Sequence, residues 1–357
     1  MLLSRRSRQS IPTTLEVKIG QMLMVGFRGL EVDAGHPIVQ AIQEHHIGGV
    51  VLFDYDVPTQ TPVRNIESPA QVKRLITSLQ AFAAIPLLVA IDQEGGQICR
   101  LKQEAGFPPT VSAQYLGRRN DLAVTREQAA AIAGELAQLG INLNLAPVVD
   151  LNINSDNPTI GRRERSFSGD PKVVIDHALE FIDAHHRQGV LCTLKHFPGH
   201  GSSTQDTHLG LVDVTNSWSA IELEPYAHII KAGKADAVMT AHVFNALLDP
   251  GYPATLSKST ITGLLRQALN YEGVVISDDI QMRAIADHYG FATAIQATIE
   301  AGVDLIAIAN NSVYEEGIVG RTGAIIKQAV QAGKLSEARI GEAYHRIRSL
   351  KRKLGLI

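Results

Sequence analysis

The chain has only two cysteines, Cys99 and Cys192, in 357 residues. That excludes a disulfide framework and fits a reducing compartment. No stretch approaches the roughly 20 consecutive apolar residues that a membrane span requires. The basic start, Met1-Leu-Leu-Ser-Arg-Arg-Ser-Arg8, is not followed by an apolar segment, so it does not read as a secretory signal. Residues 1–14 are expected to form a flexible, solvated tail. Positive charge is not in excess: the formal net charge of −3 gives no reason to expect nucleic acid as a partner. Linkers, low-complexity tracts and internal repeats are missing as well, which leaves one domain over 15–357 as the simplest division. The expectation is a cytoplasmic protein with no membrane association, existing as a monomer or weak homodimer.

What is present is a recurring pattern. Short apolar runs occur at residues 21–27, 47–53, 86–92, 141–147, 189–194, 237–242, 273–278 and 304–310, with helical periodicity between them. The runs do not alternate apolar with polar residues, as suits strands buried on both faces. Ser68-Pro69, Thr125-Arg-Glu-Gln, Asp170-Pro171 and Ser257-Lys-Ser-Thr read as helix starts. Gly140, Gly189, Gly233 and Gly302 stand where helices hand over to strands. Eight such alternations predict an α/β fold of the (β/α)₈ TIM-barrel type, with a doubly wound open sheet as the other arrangement of the same elements.

In a parallel barrel the reactive groups collect at the carboxyl ends of the strands. Here those ends carry Asp92-Gln-Glu-Gly-Gly, Asp150-Leu-Asn152, Lys195-His196, His242, Ser277-Asp278-Asp279 and Asn310-Asn311. Carboxylates, amides and a lysine suit a hydroxyl-rich ligand, because each sugar hydroxyl both donates and accepts hydrogen bonds. Glycosidic chemistry needs a group that attacks or stabilises C1 and a group that protonates the leaving oxygen. Asp278, fixed at a strand end, is a candidate for the first. Asp206-Thr-His208 is a candidate for the second, since an aspartate on one imidazole nitrogen leaves the other free to exchange protons.

The run Lys195-His-Phe-Pro-Gly-His-Gly201, followed four residues later by Asp206-Thr-His208, resembles the signature of glycoside hydrolase family 3. More narrowly it resembles the β-N-acetylglucosaminidase (β-hexosaminidase) branch, which includes the bacterial enzyme of cell-wall muropeptide recycling. Asp92-Gln-Glu-Gly-Gly-Gln-Ile-Cys-Arg100, Arg165-Ser-Phe167 and Ser277-Asp-Asp-Ile-Gln-Met282 match in the same order. The resemblance implies a retaining hydrolase that removes terminal β-linked N-acetylglucosamine, needs no cofactor or metal, and takes a small carbohydrate or muropeptide. It implies Asp278 as nucleophile, His208 as general acid/base and Asp206 as its partner, with Asp92, Arg100, Arg165, Lys195 and His196 holding the sugar. A family 3 β-glucosidase or a phosphorylase is the alternative within that family.

Two departures from the family pattern stand out: Gln97 replaces the usual arginine, and the 160–167 segment is about two residues longer, so Arg162 and Arg163 compete with Arg165 for the sugar. Two readings of other classes compete with it. A metal-dependent barrel hydrolase could use His196, His200, Asp206 and His208, but such enzymes draw histidines from the first strand, and Val25-Gly-Phe-Arg-Gly29 offers none. A sugar-binding protein without catalysis leaves the Asp206-His208 pair without a purpose. His185, His186 and His345 read as packed or solvated helix residues, His200 as support for its loop, and Asp279 as a hydrogen-bonding neighbour of Asp278. His242 reads either as lining the pocket or as satisfying a buried bond, and Trp218 as packing at a helix start.

Overall fold

The computed structural model describes residues 13–207 and 209–357. Its eight principal strands coincide with the eight apolar runs, and we number them β1 (Leu23–Gly26), β2 (Gly49–Leu52), β3 (Leu88–Ile91), β4 (Leu143–Asn144), β5 (Leu191–Phe197), β6 (Ala237–Thr240), β7 (Val274–Ile276) and β8 (Ile306–Ile308). Every neighbouring pair from β7 round to β8 is parallel. The ring closes through a bridge between Ile276 and Leu305, with the Ser277 N–H donating to the Leu305 carbonyl at 3.0 Å. This is the α/β barrel that the pattern predicts, not the open sheet.

Strand residues such as Val50, Val89, Leu143, Leu194, Val238, Val275 and Ile306 are fully buried, packed between the barrel interior and the outer helices. That two-sided burial is why the strands read as unbroken apolar runs. The helices follow from local chemistry. Ser68 caps the helix Pro69–Phe82 by accepting from the Gln71 N–H, and Asp170 caps Pro171–Arg187 by accepting from Lys172 N–H. Gly140, Gly189, Gly233 and Gly302 all adopt left-handed backbone at the helix-to-strand handovers, where a side chain would be strained.

Local details differ from the sequence reading. The helix expected to start at Thr125 starts at Leu122, because Asp121 accepts from the N–H groups of Ala123 and Val124 and so satisfies the first turn three residues earlier. Thr125 is buried inside that helix, hydrogen-bonded to His177. Ser257 does cap the next element, accepting from Thr260 N–H, but residues Ser259–Ala268 wind as a π-helix. Thr14, assigned to the tail, caps the helix Leu15–Gln21; residues 1–12 lie outside the described part of the chain. Among the described residues no helix is long and apolar enough to cross a membrane. Cys99 and Cys192 are both free and buried.

Candidate active site

A cavity of about 290 Å³ opens at the carboxyl ends of the barrel strands. Its floor is apolar, made by Met24, Val51, Leu145, Met239 and Ala307, and its walls are polar. Asp92, Arg100, Arg165, Lys195, His196 and Asp278, six of the eight predicted site residues, line it. Of the other two, Asp206 is half-buried and within 3.9 Å of the Arg163 guanidinium, and His208 lies outside the described residues.

One wall is an ion-pair network built on β3 and β5. Lys195 lies in β5, which runs three residues beyond the predicted strand, to Phe197. Its ammonium stands 2.7 Å from both Asp92 Oδ1 and Glu94 Oε1. Glu94 also accepts both arms of Arg165, at 2.9 Å from Nε and 2.7 Å from Nη2. Arg100 reaches Asp92 and Asp54 at 3.5 Å each, and Lys102 pairs with Asp54 at 2.5 Å. Burial alone would raise the pKa of Asp92 and Glu94, yet the surrounding cations hold both below the usual carboxylate range. Both therefore stay ionised, and Asp92, which lines the cavity, can accept hydrogen bonds there.

Glu94 was not singled out from sequence, although a signal existed. In extended chain, residues two apart share a face, so Asp92 and Glu94 point the same way. Asp150, placed at a strand end by the sequence but given no role there, is the other contributor. It is fully buried and accepts from His196 Nδ1 at 2.7 Å and from the backbone N–H groups of His196 and His200 at 3.2 and 2.8 Å. Arg165 Nη2 donates to His196 Nε2 at 3.2 Å, which leaves Nδ1 as the ring N–H given to Asp150. The imidazole is thus locked in orientation and tautomer.

The three candidate arginines are placed differently. Arg162 is exposed and points to Asp156, whereas Arg163 and Arg165 both line the cavity. The longer 160–167 segment is taken up in a closed turn in which Glu164 adopts left-handed backbone and Arg165 N–H donates to Ile160 O. Gln97 is exposed at the tip of the hairpin formed by Gln93–Gly95 and Ile98–Cys99, and is not among the cavity residues. The departure at Gln97 thus leaves the cavity wall untouched.

Asp278 stands two residues past the end of β7, after Ser277. Its N–H donates to Thr240 Oγ1 at 3.4 Å, and its own Oδ1 accepts the Asp279 N–H at 2.8 Å. Ser277 and Asp279 flank it as fasteners: Ser277 Oγ accepts from Ala307 N–H and Asp279 Oδ1 accepts from Ala309 N–H, both at 2.9 Å. His242 satisfies buried bonds with Thr255 and the Asp279 carbonyl and does not line the cavity. His185 is buried against Phe181 and bonded to Asn144, a packed residue as expected.

The loop after β5 is held from several sides. Asn157 donates to the His200 and Gly201 carbonyls, and Asn154 donates to the Ser203 carbonyl. Trp218, in the turn before the short 3₁₀ segment Ala220–Leu223, donates from Nε1 to the Pro198 carbonyl at 3.1 Å. His200 is buried, and burial followed by the neighbouring His196 pushes its pKa down to about 4. It is therefore neutral near pH 7, in keeping with a supporting part. Among the described residues no cluster of three or more His, Cys, Asp or Glu side chains could hold a metal ion.

The model of the glycosyl hydrolase family 3 N-terminal domain matches residues 14–350. Beta-hexosaminidase A of Pseudoalteromonas piscicida is 34% identical, over 96% of this chain and 62% of that protein. The beta-hexosaminidase of Tolumonas auensis is 36% identical, over 81% of this chain and 83% of its own length. Among solved structures, a glycoside hydrolase family 3 beta-N-acetylglucosaminidase from Paenibacillus sp. FPU-7 superposes with a TM-score of 0.87 at 38% identity, covering 96% of this chain and 63% of that one. The chain spans about three fifths of the Pseudoalteromonas and Paenibacillus proteins. A family model matching nearly its whole length, with the barrel and the cavity described above, makes this chain a member of glycosyl hydrolase family 3.

Proposed function

We propose that the chain is a retaining β-N-acetylhexosaminidase that removes terminal, non-reducing β-linked N-acetylglucosamine. The observation that carries this reading is the placement of Asp278 in one cavity with Asp92, Lys195 and Arg165, which are tied together through Glu94. The names of the relatives, beta-hexosaminidases and a beta-N-acetylglucosaminidase, support the choice of sugar.

In the proposed reaction Asp278 attacks C1 from one face while the C1–O bond to the leaving group breaks. His208, oriented by Asp206, gives its proton to the departing oxygen, and Asp278 is left bonded to the sugar as an ester. Water then attacks C1, gives a proton to His208 and releases Asp278, so two inversions yield net retention. Asp92 and Lys195 bind the sugar hydroxyls as acceptor and donor. Arg100, Arg165 and His196 complete the grip, with His196 held by Asp150.

We read residues 15–357 as the catalytic unit, a GlcNAc-bearing muropeptide as a fitting substrate, and the reducing cytoplasm as a setting that suits the two free thiols. Purified protein should hydrolyse an aryl β-N-acetylglucosaminide with release of the β-anomer. Preference for the aryl β-glucoside would overturn the choice of sugar, and first release of the α-anomer would overturn the double displacement.

A further inference from the structure

Glu222 is a buried carboxylic acid that the proposed reaction does not use. It lies just before the helix Glu224–Lys231 and is 1% exposed. Its Oε2 accepts the Gly201 N–H at 2.9 Å. Gly199, with φ of 120°, passes so close that a β-carbon there would stand 2.6 Å from Glu222 Cβ and 2.7 Å from its Oε2. On the other side of the same turn, Asp150 accepts the His200 N–H at 2.8 Å. Two carboxylates from different elements thus grip consecutive N–H groups, His200 from the barrel side and Gly201 from the helix side. The next described residues lead through exposed Thr204 and Gln205 to Asp206 and to Thr207, which lines the cavity.

The arrangement is electrostatically costly. Burial comes first, and the nearby Asp150 charge adds to it, pushing the Glu222 pKa up to about 7 despite the hydrogen bonds from Ser202 and Gly201. A buried carboxylate near a second carboxylate is a poor way to stabilise a fold. It is a good way to hold a turn of buried backbone N–H groups in one place, because a carboxylate can accept several at once.

We infer that Glu222 is a positioning residue of the reaction: it fixes the turn at 199–203 and, through it, where Asp206 and Thr207 stand relative to the cavity. The inference rests on the reading of Asp206 and His208 as the acid–base pair. It makes Glu222 matter for leaving-group protonation and not for sugar binding. The Gln substitution keeps the shape and one acceptor oxygen, so it removes the charge without opening a hole.

The test compares kcat/KM for a GlcNAc disaccharide, whose leaving group needs a proton, with kcat/KM for a dinitrophenyl β-GlcNAc, whose leaving group does not. Glu222→Gln, His208→Ala and the double variant are each measured, with GlcNAc as competitive inhibitor to report sugar binding. Glu222→Gln should lower the disaccharide value by about tenfold and the dinitrophenyl value by less than about twofold, a loss within the range of impaired acid catalysis. In the His208→Ala background Glu222→Gln should cost nothing further, since a residue acting through another shows no separate effect. Equal losses on both substrates, weaker GlcNAc inhibition, no loss at all, or an additional loss in the double variant would each overturn the inference. If His208→Ala itself shows no dependence on leaving group, the acid–base reading fails, and that result is distinct from the others. Should Glu222→Gln give no folded protein, Glu222→Asp, which keeps the charge but withdraws it from Gly201, is read in the same way.

Discussion

Lys195 and Glu94 are joined at 2.7 Å inside the barrel mouth, and each has a second partner of opposite charge, Asp92 for the lysine and Arg165 for the glutamate. The chain Asp92–Lys195–Glu94–Arg165 is therefore alternating in sign and balanced. Removing Glu94 breaks that alternation and leaves two cations facing one carboxylate. Truncating one partner of a buried ion pair costs about 3–5 kcal/mol. Glu94→Ala should lose stability on that order, measured by denaturant unfolding, and raise KM as Arg165 and Lys195 relax. An unchanged unfolding midpoint would mean that water replaces the carboxylate without cost.

Asp278 and the Asp206-His208 pair make separable predictions. Asp278→Ala should lower kcat on every substrate, by on the order of 10⁴-fold or more as is usual for loss of a nucleophile, while the melting temperature stays near that of the parent chain. Asp206→Asn should follow His208→Ala in its leaving-group dependence, because it acts through the imidazole. Residual activity of Asp278→Ala above one part in a hundred would move the nucleophile elsewhere.

Lys351 carries a prediction about stability. It is fully buried in the helix Glu337–Lys353, with its ammonium 2.7 Å from Gln21 Oε1, and burial pushes its pKa down to about 7. The unfolded chain holds this proton until about pH 10.4. Between those values the unfolded state binds more protons, so stability rises with pH from about 7 towards 10 and is lost as pH falls through 7. Lys351→Met should remove that slope and raise the unfolding free energy at pH 6. An unaltered pH dependence in the variant would exclude Lys351 as its source.

Glu222 has the opposite sign. Its folded pKa of about 7 lies above the ordinary value of 4.5, so its favourable contribution is complete below pH 4.5 and lost as pH rises through 7. Glu222→Gln should therefore gain stability relative to the parent at pH 8 and little at pH 5, read from paired melting curves. A gain equal at both pH values would point to packing instead of ionisation.

All eight barrel strands were legible in the sequence, because burial on both faces writes a strand as a plain apolar run. The helix start at Asp121 was missed because Thr125-Arg-Glu-Gln offers an equally good local cap; Asp121 capping Ala123 and Val124, with Thr125 bonded to His177, decides between them. The cavity residues were legible where they stand in a compact motif or at a strand end. Asp150 was visible at its strand end but its role was not, and Glu222 was not visible at all, since the importance of both lies in which backbone N–H groups they receive. Those groups are 46 and 21 residues away in sequence, and no local pattern marks the pairing. Glu94 sits between these cases: its strand phase was visible, while its partner Arg165 lies 71 residues on.

The fastening of Ser277 and Asp279 to the backbone of Ala307 and Ala309 bears on how this scaffold can be re-engineered. Asp278 takes its aim from a stitch between two strands as well as from the Asp279 N–H of its own loop. An exchange of active-site loops between related barrels would keep that aim only if residues 277–279 travel together with 305–309. The loop following β6 belongs to the same unit, because its His242 bonds the Asp279 carbonyl, and it could not be traded singly without disturbing that aim.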